Sequence, residues 1–322
     1  MSGEGSALGA RLRERDLGAA PAALNLLESG SASDRAERAA LLAEVSPAAL
    51  GGEAPGHVIG VTGPPGAGKS TLLSALIGAW RDRGRTAALL AVDPSSRRSG
   101  GSLLGDRARI DFDPADRGVL IRSTAAGERL GGLARATRDA AQALAAAFDV
   151  VVIETVGVGQ AETDVADVAD TVVVVVQPGS GDVLQFLKSG IMEIPDVLVV
   201  TKSDLGTLAL RTRRDVAAAL RSLGSATTAV LAVSSLPPPS GIDELLGALE
   251  AHRDSLDLAA RRLHARRAGA LDEFIAERGE RGLRALGGRP GAERLLAAQP
   301  PQLDSAALVA ALELASEETQ TP

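Results

Sequence analysis

Residues 63–71 of this 322-residue chain read Gly63-Pro64-Pro65-Gly66-Ala67-Gly68-Lys69-Ser70-Thr71, a match to G-x-x-x-x-G-K-S. The pattern has a chemical reason. Glycines let successive backbone N–H groups curl around phosphate oxygens, a lysine ammonium reaches the β- and γ-phosphates, and the next hydroxyl can ligate Mg2+. Such a motif also arises by chance, so its surroundings decide its weight. Here the β-branched run Val58–Thr62 precedes it and a helical pattern over Ser70–Asp82 follows it, and a helix N-terminus adds affinity for anions. The context supports a phosphate cradle made of Gly63, Gly66, Ala67, Gly68, Lys69, Ser70 and Thr71.

A second constellation lies downstream. Thr201-Lys202-Ser203-Asp204 follows the apolar run Val197–Val200 and fits N-K-x-D except that Thr stands for Asn. A carboxylate at Asp204 would accept from the N1–H and 2-amino group of guanine. Adenine lacks that pair of donors, and a site left with unpaired polar groups discriminates strongly. Ser234, Ser235 and Leu236, after the next β-branched run, would pack beneath the base. Glu154-Thr155-Val156-Gly157 ends the run Val150–Ile153. P-loop proteins place there a metal-side carboxylate and a glycine whose N–H senses the γ-phosphate. Asp93 closes the second run and Asp106 closes Gly101-Ser102-Leu103-Leu104-Gly105-Asp106. Taken singly, Asp93 reads as a strand-end turn and Asp106 as a solvated loop acid. Three acids near one phosphate cradle suit Mg2+, which takes oxygen ligands and keeps several waters. Gln160, three residues beyond Gly157, is the side chain spaced to orient an attacking water.

These residues must be held by strands and helices. Candidate strands are Val58–Thr62, Ala87–Val92, Val150–Ile153, Thr171–Val176, Val197–Thr201 and Ala229–Val233, several of them continuous apolar runs that suit strands buried on both faces. Helical patterns over Ser70–Asp82, Ala134–Ala147 and Arg211–Ser222 supply crossovers. The expectation is an α/β, doubly wound, mostly parallel sheet over residues 56–255, with helical extensions over 1–55 and 256–322. Asp34 and Glu37 read as a capping pair for the helix that carries Leu41, Leu42 and Val45. Gly51-Gly52-Glu53-Ala54-Pro55-Gly56 reads as a flexible break.

Composition narrows the function. Lys plus Arg is 34 and Asp plus Glu is 41, a net charge of −7, and the aromatics are four Phe, one Trp and no Tyr. A chain this acidic has no overall pull on phosphate backbones or anionic lipid, and it has few rings on which single-stranded bases could stack. Nucleic acid and membrane are therefore not expected as partners. With no Cys, and with His57, His252 and His264 scattered along the chain, thiolate chemistry is excluded and a histidine metal cluster, such as a nickel metallochaperone would need, is not expected. The N-terminus lacks a signal-peptide pattern and no apolar stretch approaches the length of a membrane span, so a cytoplasmic protein is expected.

The P-loop, Val92-Asp93-Pro94-Ser95-Ser96, the stretch from Ser99 to Asp106, Leu130-Gly131-Gly132-Leu133-Ala134-Arg135 and Glu154-Thr155-Val156-Gly157-Val158-Gly159-Gln160-Ala161-Glu162 together resemble the MeaB/ArgK-type P-loop GTPases. This is the methylmalonyl-CoA mutase-associated group, similar to the methylmalonic aciduria type A protein. The resemblance implies hydrolysis of GTP to GDP and phosphate with Mg2+, in the service of a chaperone for an adenosylcobalamin-dependent acyl-CoA mutase. It implies that Lys69, Ser70 and Thr71 bind phosphate and Mg2+, that Asp93, Asp106 and Glu154 surround the metal with Ser70, and that Thr201, Lys202 and Asp204 hold guanine. The catalytic set would be Lys69, Asp106, Glu154 and Gln160, with Gly157 at the γ-phosphate. The loop Gln177-Pro178-Gly179-Ser180-Gly181-Asp182, continuing to Lys188, resembles a partner-sensing switch. A homodimer with a C-terminal dimerising arm is implied too. The alternative carried by an older family label is a nucleotide-dependent kinase or ATPase of an amino-acid transport system. Thr201 in place of Asn is expected to loosen the support of the base.

Overall fold

The computed structural model describes residues 3–93, 110–125, 134–155, 164–179, 195–222, 224–225 and 227–320. The strands are β1 (His57–Thr62), β2 (Ala87–Asp93), β3 (Val119–Ala125), β4 (Val150–Thr155), β5 (Thr171–Val176), β6 (Val197–Val200) and β7 (Ala229–Ala232). They form one sheet in the order β3-β2-β4-β1-β5-β6-β7, and every pairing in it is parallel. Strands β1, β5 and β6 are buried along their whole length. That burial on both faces is why their sequences run on in apolar residues, mostly Val, without alternation.

Strand β3 is the element the sequence pattern misses. It lies at the edge of the sheet, paired only with β2, and Arg122, Ser123 and Thr124 break its apolar run after Ile121. An edge strand with one half-covered flank does not require a continuous hydrophobic stretch. The chain leaves β1 for β2 on one side and returns to β5 on the other, so a crevice opens at the carboxyl ends of the strands beside β1.

The helices are α1 (Glu4–Arg13), α2 (Ala20–Glu28), α3 (Arg35–Glu44), α4 (Pro47–Leu50), α5 (Lys69–Asp82), α6 (Arg135–Ala147), α7 (Thr207–Ser222), α8 (Ile242–Ser255), α9 (Leu258–Ala285, interrupted at Gly279), α10 (Gly288–Ala298) and α11 (Ser305–Gln320). Helix α5 buries Leu72, Leu73, Leu76, Ile77 and Trp80, a stripe at helical spacing, in a core shared with Ile59, Val61, Val173, Val175 and Leu245 of α8. The chain divides into two compact units. One contains His57–Ala134 and Phe148–Leu256, and the other contains Met1–Gly56, Arg135–Ala147 and Asp257–Pro322. Helix α6 thus groups with both terminal segments. That second unit has its own core, with Phe274, Leu308 and Leu312 fully enclosed. No helix among the described residues is long and apolar enough to cross a membrane.

Two local expectations are corrected within the helical unit. Asp34 stands at the N-cap of α3 but caps nothing with its side chain; its carboxylate takes the hydroxyls of Ser29 and Ser33. Glu37 instead reaches to α1, accepting the N–H of Gly5 at 2.7 Å and of Gly3 at 3.2 Å, so it caps a neighbour's N-terminus. The segment 51–56 is clamped rather than a flexible break. Arg266 donates through both terminal nitrogens to the Glu53 carboxylate at 2.9 Å each. Arg262 donates to the carbonyls of Ala54 and Gly56 at 2.6 Å each.

At the amino end of the sheet, two of the three histidines meet. His57 Nε2 and His252 Nδ1 each lie 2.8 Å from Thr171 Oγ1, and His252 Nε2 lies 3.2 Å from Asp196. Among the described residues no group of three metal-ligating side chains forms.

Candidate nucleotide-binding site

The loop between β1 and α5 takes a shape that only its own residues allow. Gly63 sits at φ +146°, and a Cβ there would lie 2.1 Å from the Val175 carbonyl oxygen, so no larger residue fits against β5. Gly68, at φ +90°, is the N-cap of α5, which turns the first N–H groups of that helix toward the loop. Four of the loop carbonyls are engaged by side chains. Lys69 Nζ, on a 7% exposed side chain, donates to Gly63 O at 2.6 Å and Pro64 O at 3.3 Å. Lys202 Nζ donates to Gly66 O at 3.2 Å, and Thr201 Oγ1 donates to Ala67 O at 2.5 Å. Fixing four carbonyls in this way leaves the loop's amide dipoles with a set orientation before any anion arrives.

Ser70 opens α5 beside β4, and its Oγ donates to Glu154 Oε1 at 3.3 Å. Register explains the meeting: Glu154 pairs with Val61, one residue before the strand ends. A hydroxyl and a carboxylate are hard oxygen donors, the kind Mg2+ takes, so the pair fits a Mg2+ ion held through Ser70 and Glu154. Thr71, next on the helix, is exposed.

The second motif is joined to the first. Thr201 is 3% exposed at the end of β6, where its hydroxyl also has Val176 O within 3.1 Å. Where the motif has Asn, this Thr hydroxyl ties the segment after β6 to the P-loop. Lys202 takes a left-handed backbone, φ +53°, and its Nζ also donates to Gln177 Oε1 at 2.5 Å. Asp204 is exposed, with Oδ1 accepting from Ser234 Oγ at 2.9 Å. Ser234 is itself fixed by a backbone bridge to Ser240, while Ser235 is half-buried and Leu236 is 57% exposed beside it.

The structure thus gathers Gly63, Gly66, Ala67, Gly68, Lys69, Ser70, Glu154, Thr201, Lys202, Asp204 and Ser234 at one end of the sheet. Asp106, Gly157 and Gln160 lie outside the described residues, as do the side chain of Asp93 and residues 180–188 of the loop leading to Lys188. Gln177, the partner of Lys202, escaped the chemical reading of the motifs. Its position directly after β5, at the same sheet end as the P-loop, is the signal that finds it.

Comparison with known proteins agrees with this geometry. The family model of the methylmalonyl-CoA mutase-associated GTPase MeaB matches residues 20–282. A Pyrococcus abyssi protein whose name proposes a GTPase is 44% identical over 226 residues, 68% of this chain and 69% of its own length. The mitochondrial methylmalonic aciduria type A homolog of Mus musculus is 45% identical over 157 residues, 48% of this chain and 38% of that protein. A crystal structure described as a LAO/AO transport system kinase aligns over 100% of this chain and 99% of its own, at 27% identity and a TM-score of 0.66. A P-loop between parallel strands, joined to a guanine-type motif and carrying this match, places the chain in the family of methylmalonyl-CoA mutase-associated GTPases, MeaB.

Proposed function

We propose that the protein binds GTP, hydrolyses it to GDP and phosphate with Mg2+, and serves as a homodimeric chaperone of an adenosylcobalamin-dependent acyl-CoA mutase such as methylmalonyl-CoA mutase. One observation carries the reading: the Thr201 hydroxyl joins the base-reading loop to the P-loop while Ser234 orients Asp204. Base recognition and phosphate binding are then parts of one rigid arrangement. Lys69 holds the β- and γ-phosphate oxygens with its ammonium. Asp204 accepts the two guanine donors, and the loop amides and the N-terminus of α5 take the remaining phosphate charge. Ser70 and Glu154 would hold Mg2+, which when bound neutralises charge across the phosphate oxygens. Relatives named for the mutase and for methylmalonic aciduria support the partner.

The second reading, a kinase or ATPase of a transport system, draws on the full-length similarity to the LAO/AO transport system kinase. Calorimetry separates the two. GTP and GDP are expected to bind at least ~100-fold more tightly than ATP and ADP, and Asp204→Asn to weaken GDP by ~2–4 kcal/mol while xanthine nucleotides gain. Equal ATP and GTP affinity would overturn the guanine reading. Phosphate release measured with and without a cobalamin-dependent mutase tests the chaperone role. No change in rate or in complex formation with any such mutase would remove it.

A further inference from the structure

Helix α7 leaves the base-reading loop one residue after Gly206 and lays one face on the sheet through Ala209, Thr212, Val216 and Leu220. Its other face is unusual for a chain of net charge −7. Arg211, Arg213, Arg214 and Arg221 are all exposed there, against a single Asp215. Arg211 has only a 3.9 Å approach to Asp215, and Arg213, Arg214 and Arg221 form no ion pair among the described residues. Between them Leu210, Ala217 and the three arginine stems line a shallow depression of about 360 Å³, with small Ala217 between the longer side chains. Leu205, Leu208 and Leu210 stand 45–50% exposed on the same stretch. An unneutralised cationic face that holds the bare Leu210 among its arginines marks an interaction surface rather than a solvated helix face.

We propose that this face of α7 docks an acidic, amphipathic segment of a partner protein, an apolar side chain entering the depression over Ala217 and carboxylates meeting Arg213, Arg214 and Arg221. Charge complementarity selects an acidic partner. The face carries no aromatic ring on which a base could stack, and the negative charge of the rest of the chain opposes an extended polyanion such as a duplex or an anionic bilayer. The surface adjoins the nucleotide site, because Leu205 follows Asp204 directly and Leu208 lies against Gly179 of the loop after β5. The docking itself does not rest on the GTP reading.

The probe is a fluorescein-labelled helical peptide with Glu along one face and Leu beside it, followed by anisotropy on the full chain. Saturable binding is expected that weakens with added salt and is lost when Gln replaces the peptide's Glu residues. Combined Arg213→Ala, Arg214→Ala and Arg221→Ala should weaken it at least ~10-fold, with Lys at the same positions retaining most of it and with GDP affinity unchanged in both variants. Four results would each overturn the proposal: no binding at low salt, equal binding of the Gln peptide, equal binding by the Ala variant, or stronger Arg-dependent binding of anionic vesicles or duplex DNA. A change of oligomeric state in the Ala variant without peptide would identify a second copy as the occupant and overturn it too. Absence of GDP binding by the wild type would count against the nucleotide reading alone.

Discussion

A buried hydroxyl, beside the Lys202 ammonium on Gly66 O, ties two loops together. Thr201 Oγ1 supplies the side-chain donor to the Ala67 carbonyl in the middle of the P-loop, and it does so from a buried position. Thr201→Val keeps the shape and removes the donor. Stranding a buried carbonyl costs about 1–3 kcal/mol, so the variant is expected to melt several degrees lower and to bind GDP roughly 5- to 100-fold more weakly, while Thr201→Ser retains most of both. Wild-type melting and affinity in Thr201→Val would show that the tie carries no load. Asp204 illustrates the complementary point. Its identity is legible from spacing, but the bond from Ser234 that turns one of its oxygens inward joins residues thirty positions apart and is visible only in the fold.

At the scale of elements, charged side chains of the helical unit hold segments that composition alone describes as loose. The Arg266–Glu53 pair is largely buried, at 8% and 14% side-chain exposure. Removing one partner of such a pair leaves an uncompensated charge and costs about 3–5 kcal/mol. Glu53→Ala should therefore lower stability by that order in chemical denaturation, and a loss under ~1 kcal/mol would mean that segment 51–56 is held by other contacts. Glu273 of α9 is a second case. Burial, and then the nearby Asp139 carboxylate, push its pKa up to about 7, although Arg135 at 3.5 Å pulls the other way. The folded unit keeps a proton that the unfolded chain gives up near 4.5. Its contribution is thus fully present below that value and is lost as pH rises through about 7. Glu273→Gln should match the wild type near pH 4.5 and exceed it in stability by on the order of 2–3 kcal/mol near pH 8. A difference between the two proteins that does not change with pH would refute this.

For the whole molecule, the two units have separate cores, and the single tryptophan reports on only one of them. Trp80 is 3% exposed on α5, the helix that begins at the P-loop lysine. A nucleotide that binds the folded state alone stabilises it by about 2.7 kcal/mol at 100-fold excess over its Kd. GDP is therefore expected to shift the Trp80 fluorescence transition upward and to slow hydrogen exchange in β1, β5 and β6. The amides around Phe274 and Leu312 should change less. Equal protection in both cores would show that the two do not unfold independently.

What the sequence determined by itself was the two motifs and the parallel sheet that frames them. A P-loop and a K-x-D tetrad are contiguous, and each depends on backbone geometry that a few glycines and a strand end impose, so both were legible, as were six of the seven strands. The edge strand β3 was not, because a half-covered strand carries no distinctive run. Glu37 and the Gly51–Gly56 segment were misread for a related reason: their partners, Gly5, Arg262 and Arg266, lie far away in the chain. The same distance separates His57 from His252, scattered in sequence and joined through Thr171. Tertiary structure decided these pairings, since a hydrogen bond is set by where the fold brings donor and acceptor together, and local sequence constrains only its own few residues.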